Sequence, residues 1–158
     1  DLYRAYNFKE PWDSPGNRAL AGAMSGMFRC PSDTKAKPTE TNYVMIVGKG
    51  TIGSRANEKV SLDDIAKADG SPHTLLVVEV TGYGIDWMEP RDLALEDLTF
   101  GINSRTGKGI SSRHSGVVVV AFADGHVEFL EQSVDAETLR RLAQWNDGQP
   151  VDLERFRR

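Results

Sequence analysis

Residues 113–130 read RHSGVVVVAFADGHVEFL, and this stretch decides the fold. An apolar run ends at Asp124-Gly125, and a second run that alternates apolar and polar residues follows it. Asp-Gly favours a two-residue type I′ turn, because both central positions of that turn need a positive φ. The stretch therefore predicts a β-hairpin in which Ala123 pairs with His126.

Both faces of the first hairpin arm are apolar. Side chains alternate along a strand, so Val118, Val120 and Phe122 share one face, which we expect to be the core face. With a two-residue turn, Phe122 meets Val127 and Val120 meets Phe129 across the hairpin. The alternate residues of the same arm are apolar too, so we expect another part of the protein to cover that face at least partly.

Length and composition indicate one globular domain. The chain has 158 residues, of which 39% are hydrophobic and 27% charged, with a formal net charge of −4. We expect a single domain over residues 1–158, with a helical segment at 1–27, a sheet with long loops at 42–131, and a C-terminal helix and tail at 132–158. The acidic balance gives no reason to expect a nucleic-acid partner, and no window approaches the ~18 apolar residues of a transmembrane helix.

Local patterns predict the main elements. Ser14 or Asp13 caps a helix that runs to about Met24, and residues 42–47 and 74–80 have the composition of strands. Residues 82–112 form a long irregular region rich in acids, glycine and proline. The final helix starts near Asp135, with its apolar face toward the core and with Gly148 as its terminator. We assign that apolar face to Leu139, Leu142, Ala143 and Trp145.

Cys30 is the only cysteine, so no disulfide can form within these residues. It is either a half-buried thiol or the partner of a cysteine upstream. No Cys-X-X-Cys motif or Cys/His cluster is present in the sequence, which argues against a structural zinc site.

The residues that could take part in catalysis form no convincing catalytic motif. His114 and Asp124 are separated by ten residues of extended chain, roughly 33 Å, so they cannot share a proton and favour structural roles. Glu79 ends an apolar strand, where a carboxylate either acts as a buried base or, more commonly, pairs with an arginine or a backbone amide. No nucleophile elbow and no metallopeptidase His pair occurs. We therefore expect no enzymatic activity.

Gly48-Lys49-Gly50-Thr51-Ile52-Gly53 matches G-x-G-x-x-G after an apolar strand. A nucleotide site needs a helix that begins there, but residues 54–59 carry no apolar helical stripe. A glycine loop is the favoured interpretation, and a nucleotide-binding enzyme is the weakest of three functional hypotheses.

The long loop between residues 82 and 112 offers two further hypotheses. Its carboxylates are the oxygen ligands that calcium takes, although their spacing fits no EF-hand, so a solvated acidic loop is the simpler interpretation. The carboxylates are Asp86, Glu89, Asp92, Glu96 and Asp97. Tyr83 and Trp87 either form an aromatic platform of a surface-exposed carbohydrate- or protein-binding module, or Trp87 packs under the loop.

Taken in order along nearly the whole chain, these motifs resemble the bacterial pseudopilin-like and type IV pilin-like proteins with a C-terminal His-X9-Asp-Gly signature and a prepilin-type N-terminal segment. The matching stretches are Leu2-Tyr3, Tyr6-Asn7-Phe8, Glu10-Pro11-Trp12-Asp13-Ser14-Pro15, Phe28-Arg29-Cys30-Pro31-Ser32-Asp33, Thr41-Asn42-Tyr43, Asp69-Gly70-Ser71, Thr74 to Glu79, Trp87 to Leu93, His114 through Asp124-Gly125, and Thr138-Leu139 with Ala143. The long hydrophobic N-terminal helix of that family is not among these residues, and its Gly-Gly after the signature histidine is reduced to Gly116.

The resemblance implies a pilin-like α+β head, in which an antiparallel sheet packs on an N-terminal helix and a C-terminal helix follows. It implies a structural subunit of a pilus- or pseudopilus-like filament related to type II secretion, which self-assembles through an upstream helix beside other pseudopilins or secretion machinery. Such a subunit is extracellular or periplasmic and is anchored in the membrane, before assembly, only by that helix. The resemblance supplies no catalytic residue. Major pseudopilins bind calcium in a head loop, which keeps calcium as the one cofactor to consider.

Overall fold

The computed structural model describes residues 2–53, 59–104, 109–149 and 151–156. Its main sheet has four strands, namely β1 (Tyr43–Val44), β3 (Leu75–Glu79), β5 (Val117–Phe122) and β6 (Val127–Glu131), in the order β1-β3-β5-β6 with every pair antiparallel. A second, two-stranded parallel sheet joins β2 (Ile46–Val47) to β4 (Leu93–Ala94). Helices and an antiparallel sheet in one chain confirm the α+β class.

The helices are short. They are α1 (Leu2–Ala5), α2 (Pro15–Arg18), α3 (Leu62–Lys67) and α4 (Ala136–Ala143). Within the described residues, no helix is both long enough and apolar enough to cross a membrane.

The hairpin forms as predicted, but its turn does not. Ala121 pairs with Val127 and Val119 with Phe129, so the connection has three residues instead of two. The amide of Gly125 donates to the carbonyl of Phe122 at 2.9 Å, and Gly125 alone of the turn residues has a positive φ, +91°. This is the pattern of a type I turn followed by a left-handed glycine, which spares Asp124 the positive φ that a type I′ turn would impose.

The register divides the sheet into two faces. The core face carries Val44, Val78, Val118, Val120, Phe122 and Leu130, all of them buried. Leu139, Leu142 and Ala143 of α4 belong to the same core cluster. The open face carries Tyr43, Val77, Val119, Ala121, Val127 and Phe129. Val127 is 60% exposed and Phe129 is 47% exposed.

The predicted helix from Ser14 to Met24 is shorter than the pattern indicates. Ser14 caps α2 and Pro15 opens it, as expected, but the helix ends at Arg18, and a separate 3₁₀ turn covers Ala21–Ala23. Gly16 and Gly22 weaken a continuous helix. The side chain of the buried Asn17 also makes tertiary hydrogen bonds. It accepts from the amide of Asn7 at 2.8 Å and donates to the Asn7 carbonyl at 3.0 Å.

The predicted strand at 42–47 is two strands in two sheets. The chain changes sheet at Met45, whose amide donates to Asp92 Oδ1 at 2.8 Å. Strand β4 lies in the region predicted to be wholly irregular, since two residues of strand leave no detectable periodicity.

The C-terminal helix begins as predicted, with Asp135 accepting from the Thr138 amide at 2.9 Å. It ends at Ala143, before Trp145, so the assignment of Trp145 to its apolar face was wrong. The amide of Trp145 instead donates to the carbonyl of Gly50 at 2.9 Å. Asp69 then accepts from the amides of Asp147 and Gly148, which ties this segment to the loop that precedes β3.

Candidate functional site

Three separate parts of the chain meet at one end of the main sheet. Cys30 follows the 3₁₀ turn Gly26–Phe28, Glu79 ends β3, and His114 lies just before β5. Among the described residues, these three form the one group of His, Cys, Asp or Glu side chains that places three potential ligand atoms within 4.8 Å of one another.

The distances within the cluster are short. Cys30 Sγ lies 3.3 Å from His114 Nε2, and that nitrogen lies 3.8 Å from Glu79 Oε1. Cys30 is 2% exposed and Glu79 is 0% exposed, whereas the side chain of His114 is 29% exposed. The cluster is therefore closed on the Cys30 and Glu79 sides and reaches solvent through the imidazole.

The two carboxylate oxygens of Glu79 are used differently. Oε2 accepts a hydrogen bond from the amide of Val119 at 3.1 Å, the backbone pairing that the sequence favoured for this residue. Oε1 is buried and, among the described residues, has no hydrogen-bond partner of good geometry. A buried oxygen without a partner costs free energy, so this atom needs an explanation.

A polar frame holds Cys30 beside β3. The amide of Cys30 donates to Asn42 Oδ1 at 2.9 Å. Asn42 Nδ2 in turn donates to Asp33 Oδ2 and to the carbonyl of Val80, each at 2.9 Å. His114 is fixed on its other side, because its amide donates to Ser112 Oγ at 2.8 Å.

The surroundings of Cys30 favour the protonated, neutral thiol as long as no cation lies beside it. Burial first, and a weak hydrogen bond from the thiol to the Glu79 carboxylate second, raise the pKa of Cys30, while the amides of Ser32 and Asp33 act in the opposite direction. Burial followed by the Glu79 charge also raises the pKa of Tyr43, which pairs with Glu79 across β1 and β3. A neutral thiol is a weak nucleophile.

Cys30 is free and more buried than the half-buried thiol predicted for it. Its partner is His114, a structural role for the histidine that the sequence favoured in general terms without naming the cysteine. Asp124 lies instead at the hairpin turn, where its Oδ1 accepts from the amide of His126 at 3.1 Å. The two signature residues therefore have separate partners, as their spacing requires.

The acidic loop disperses its carboxylates among different partners. Asp86 pairs with Arg18 at 2.8 Å, Glu89 pairs with Arg91, and Asp92 accepts from Met45. Glu96 and Asp97 lie in the 3₁₀ turn Leu95–Asp97. These five residues do not form a three-ligand cluster within the described part of the chain. Calcium binding by this loop stays a prediction.

Trp87 holds the long loop to the N-terminal region. Its Nε1 donates to the carbonyl of Ala21 at 2.9 Å, and its ring stacks on Phe28 with centroids 5.8 Å apart. Tyr83 donates its hydroxyl to the carbonyl of Gly109 at 2.9 Å. The two aromatic residues therefore hold different contacts, and a shared aromatic platform stays a prediction.

The glycine loop makes a turn. The amide of Thr51 donates to the carbonyl of Gly48 at 3.3 Å, and Gly50 has a φ of +78°. Gly53 lies against the backbone of Ile46, whose carbonyl oxygen would be 2.7 Å from an added Cβ. Residues 54–58, where a phosphate-binding helix would have to begin, lie outside the described residues.

One comparison with known families gives a match. Residues 81–137 match the model of the family SBP_bac_10, described as a protein of unknown function (DUF1559). The matched segment is a little over a third of the chain and contains the acidic loop, His114, the hairpin and the start of α4. No curated protein and no solved structure matches the chain.

The Cys30, Glu79 and His114 cluster was missed by sequence reasoning. The three residues are spaced 49 and 35 positions apart by their numbering, a separation that fits no local ligand motif. The available signals were single ones: a cysteine before Pro-Ser-Asp, a carboxylate at the end of an apolar strand, and a histidine before the next strand. Pairing of β3 with β5 brings Glu79 and His114 to the same end of the sheet, and the bonds of Asn42, beside β1, add Cys30.

Proposed function

We propose that this chain is the globular head of a structural subunit that assembles into a pilus- or pseudopilus-like filament outside the cell or in the periplasm. The observation that carries the proposal is the open face of the main sheet. This face is an apolar surface formed by one side of all four strands, and other parts of the chain cover it only partly. The ordered motifs of the sequence resemble those of such subunits, and this resemblance supports the same conclusion.

The open face continues into a groove. The 3₁₀ turn Gly26–Phe28 lies along it, and Met27 is 73% exposed there. The groove has a volume of about 360 Å³. It is lined by Met27, Phe28, Tyr43, Val77, Val119, Val120, Ala121 and Val127.

A second apolar groove adjoins the first. Its volume is about 310 Å³, and its lining is Leu2, Tyr3, Tyr6, Phe8, Trp87 and Met88. Trp87 stacks on Phe28, which lines the first groove, so the two surfaces are continuous. We call the two grooves together the apolar strip.

A continuous apolar strip is unfavourable in water and is typical of a surface that another molecule covers. We propose that a second copy of this chain binds to the apolar strip and buries it. In a filament of identical subunits the same strip recurs on each copy, so one contact type repeats along the assembly. Helix-driven assembly is what the resemblance implies, and burial of the strip adds a contact between heads.

The test is assembly of the full-length processed protein, followed by electron microscopy and sedimentation. Val127→Lys places a charge in the strip at a site that is already 60% exposed. Leu62→Lys is the matched control, because Leu62 is 64% exposed but lies on α3, outside the strip. We expect filaments from the parent and from Leu62→Lys, and short or absent filaments from Val127→Lys.

Two results would contradict the proposal. A full-length protein that remains monomeric under all assembly conditions rules out the filament subunit. Filaments of equal length from Val127→Lys and the parent rule out the strip as a contact between heads. Melting of the unassembled variant shows whether the strip instead packs within one subunit, since a charge there would then lower the melting temperature.

A surface-exposed binding module for carbohydrate or protein is the second candidate. It is favoured by the N-terminal aromatic cluster, in which Tyr3 is 75% exposed and Phe8 is 67% exposed, with ring centroids 5.1 Å apart. Exposed aromatic rings supply large, rigid contact areas to ligands. A glycan array with the parent and with Tyr3→Ala tests it: binding lost in the variant supports the module, and an array without binding excludes a carbohydrate ligand.

A further inference from the structure

We propose that Cys30, Glu79 and His114 bind a single thiophilic divalent cation, and that zinc is the cation which this donor set favours. The site lies at the end of β3 and is separate from the acidic loop. It does not depend on filament assembly.

The two separations from His114 Nε2 to the other donor atoms are close to those of a metal-bound set. In a tetrahedral zinc site, bonds of about 2.3 Å to sulfur and about 2.0–2.1 Å to nitrogen place those two atoms about 3.6 Å apart. The corresponding nitrogen–oxygen separation is about 3.4 Å. The observed values are 3.3 Å for Cys30 Sγ to His114 Nε2 and 3.8 Å for Nε2 to Glu79 Oε1. Cys30 Sγ and a carboxylate oxygen of Glu79 lie within 4.8 Å of each other, so these two ligands would move by up to about 1 Å to reach a shared ion.

Glu79 Oε1 is the independent sign of a ligand. It belongs to a side chain that is 0% exposed, it lies 3.8 Å from His114 Nε2, and it has no hydrogen-bond partner of good geometry among the described residues. A dication would satisfy this oxygen. It would also balance the two negative charges of a Glu79 carboxylate and a Cys30 thiolate, so that the occupied site is neutral. The thiol proton leaves to solvent when the metal binds.

The surroundings fix the ligands in the way that metal sites require. Glu79 Oε2 is held by the amide of Val119, so the carboxylate presents its other oxygen to the site. Asn42 holds the backbone of Cys30, and Ser112 holds that of His114. Such partners around the ligands restrict their motion and tune affinity.

The donor set selects the metal. Calcium and magnesium take oxygen ligands, whereas a thiolate with an imidazole and a carboxylate suits zinc and its softer neighbours. Three protein ligands leave one tetrahedral position for water or a small anion. Of the three ligands, His114 has the most exposed side chain, at 29%, so that position reaches solvent beside the imidazole.

The experiment titrates the reduced, chelator-treated full chain with Zn²⁺ and, separately, with Co²⁺. At free zinc 100-fold above the dissociation constant, we expect the melting temperature to rise by about 5–10 °C. Cobalt should give a thiolate-to-metal charge-transfer band in the near ultraviolet. That band reports a sulfur ligand directly, and Cys30 is the only cysteine.

The variants are Cys30→Ser, His114→Gln and Glu79→Gln, with His126→Gln as the matched control. His126 has carboxylate neighbours in Asp124 and Glu128 but no thiol. Loss of a direct ligand should weaken zinc binding by at least about 100-fold, the upper end of what is seen when only an outer partner is lost. His126→Gln should bind zinc as the parent does.

Two outcomes overturn the site: no cobalt band in the parent, or the same zinc-induced rise in Cys30→Ser as in the parent, which would place the metal elsewhere. If Cys30→Ser does not fold, the cobalt band of the parent and its change in His114→Gln decide the question, because His114 is the most exposed of the three ligands. A band that is identical in His114→Gln also contradicts the proposal.

Discussion

The two faces of the main sheet are built from the same four strands, but one face is buried in the core and the other is largely exposed to solvent. On the core face, Val118, Phe122 and Leu130 are each 0% exposed and pack with α4. On the open face, Val127 and Phe129 remain largely exposed, although they are equally apolar. Apolar composition therefore does not separate core from surface here. What separates them is whether another element of the chain lies above the strands.

The open face also differs from one end to the other. Toward the hairpin turn it is bare and apolar, while at the end of β3 it is closed over Glu79 by Cys30 and His114. The end near the hairpin turn makes few contacts with the rest of the chain. The end near Glu79 is held by the polar frame around Asn42. We therefore expect substitutions on the two faces, and at the two ends of the open face, to cost very different free energies of unfolding.

The largest difference is expected between Phe122→Ala and Phe129→Ala. Phe122 is buried in the core cluster, so its truncation should lower the free energy of unfolding by about 3–5 kcal/mol. Phe129 faces solvent in the isolated chain, and its truncation should cost about 1 kcal/mol or less. Urea unfolding of the two variants measures both. Equal losses would mean that the open face is as well packed as the core face.

The next effect concerns the closed end of the open face. Asn42→Ala leaves the amide of Cys30, the carbonyl of Val80 and Asp33 Oδ2 without their partner. We expect a loss of about 2–3 kcal/mol, since buried groups without partners are costly. Asn146→Ala, at an exposed asparagine, is the control and should change the stability by about 0.5 kcal/mol or less. A small effect at Asn42 would show that water replaces its bonds.

A smaller effect is expected at the hairpin turn, which sets the register and so decides which residues share a face. Gly125 has a φ of +91°, so Gly125→Ala should cost about 1–2 kcal/mol. Gly125→Asn should cost less, because asparagine tolerates a left-handed conformation better. Thermal unfolding of the pair checks this order. If alanine and asparagine are equivalent, the turn adopts another geometry in solution.

The smallest effect is at the cap of α4, the helix above the core face. The Thr138 amide and then its hydroxyl hold the pKa of Asp135 below its usual value. A depressed pKa contributes stability above the unfolded-state pKa, near 4, and the contribution is lost as pH falls through the lower folded-state value. Because the group is exposed, solvent limits this contribution to roughly a few tenths of a kcal/mol.

The check is the urea midpoint between pH 7 and pH 2.5 for the parent and for Asp135→Asn. Asparagine still caps the helix but does not titrate, so the variant should lose slightly less stability on acidification. An identical pH dependence in both proteins would mean that the negative charge of Asp135 does not stabilise the helix in the folded state.

Patterns within short stretches predicted much of the fold. The hairpin and the Ser14 and Asp135 caps follow from local chemistry, and the structure confirms them. The α+β class, which the resemblance implied, is confirmed as well. The turn type was wrong, because Asp-Gly serves both a two-residue turn and the three-residue turn observed. The helix after Ser14 was predicted too long, because the tertiary bonds of Asn17 cannot be seen in a helical pattern.

The amino-acid sequence by itself determined the alternation of β5, the capping residues and the apolar character of both sheet faces, because each of these depends on neighbours within a few residues. The pattern also indicated that Val118, Val120 and Phe122 form the core face, and the packing of α4 confirms it. Only the tertiary structure decided how much of the opposite face is covered, since that depends on which other elements pack against it. It also decided that Cys30, Glu79 and His114 meet. Their contact requires β1, β3 and β5 to pair in one register, and no local pattern encodes contacts between residues so far apart in the chain.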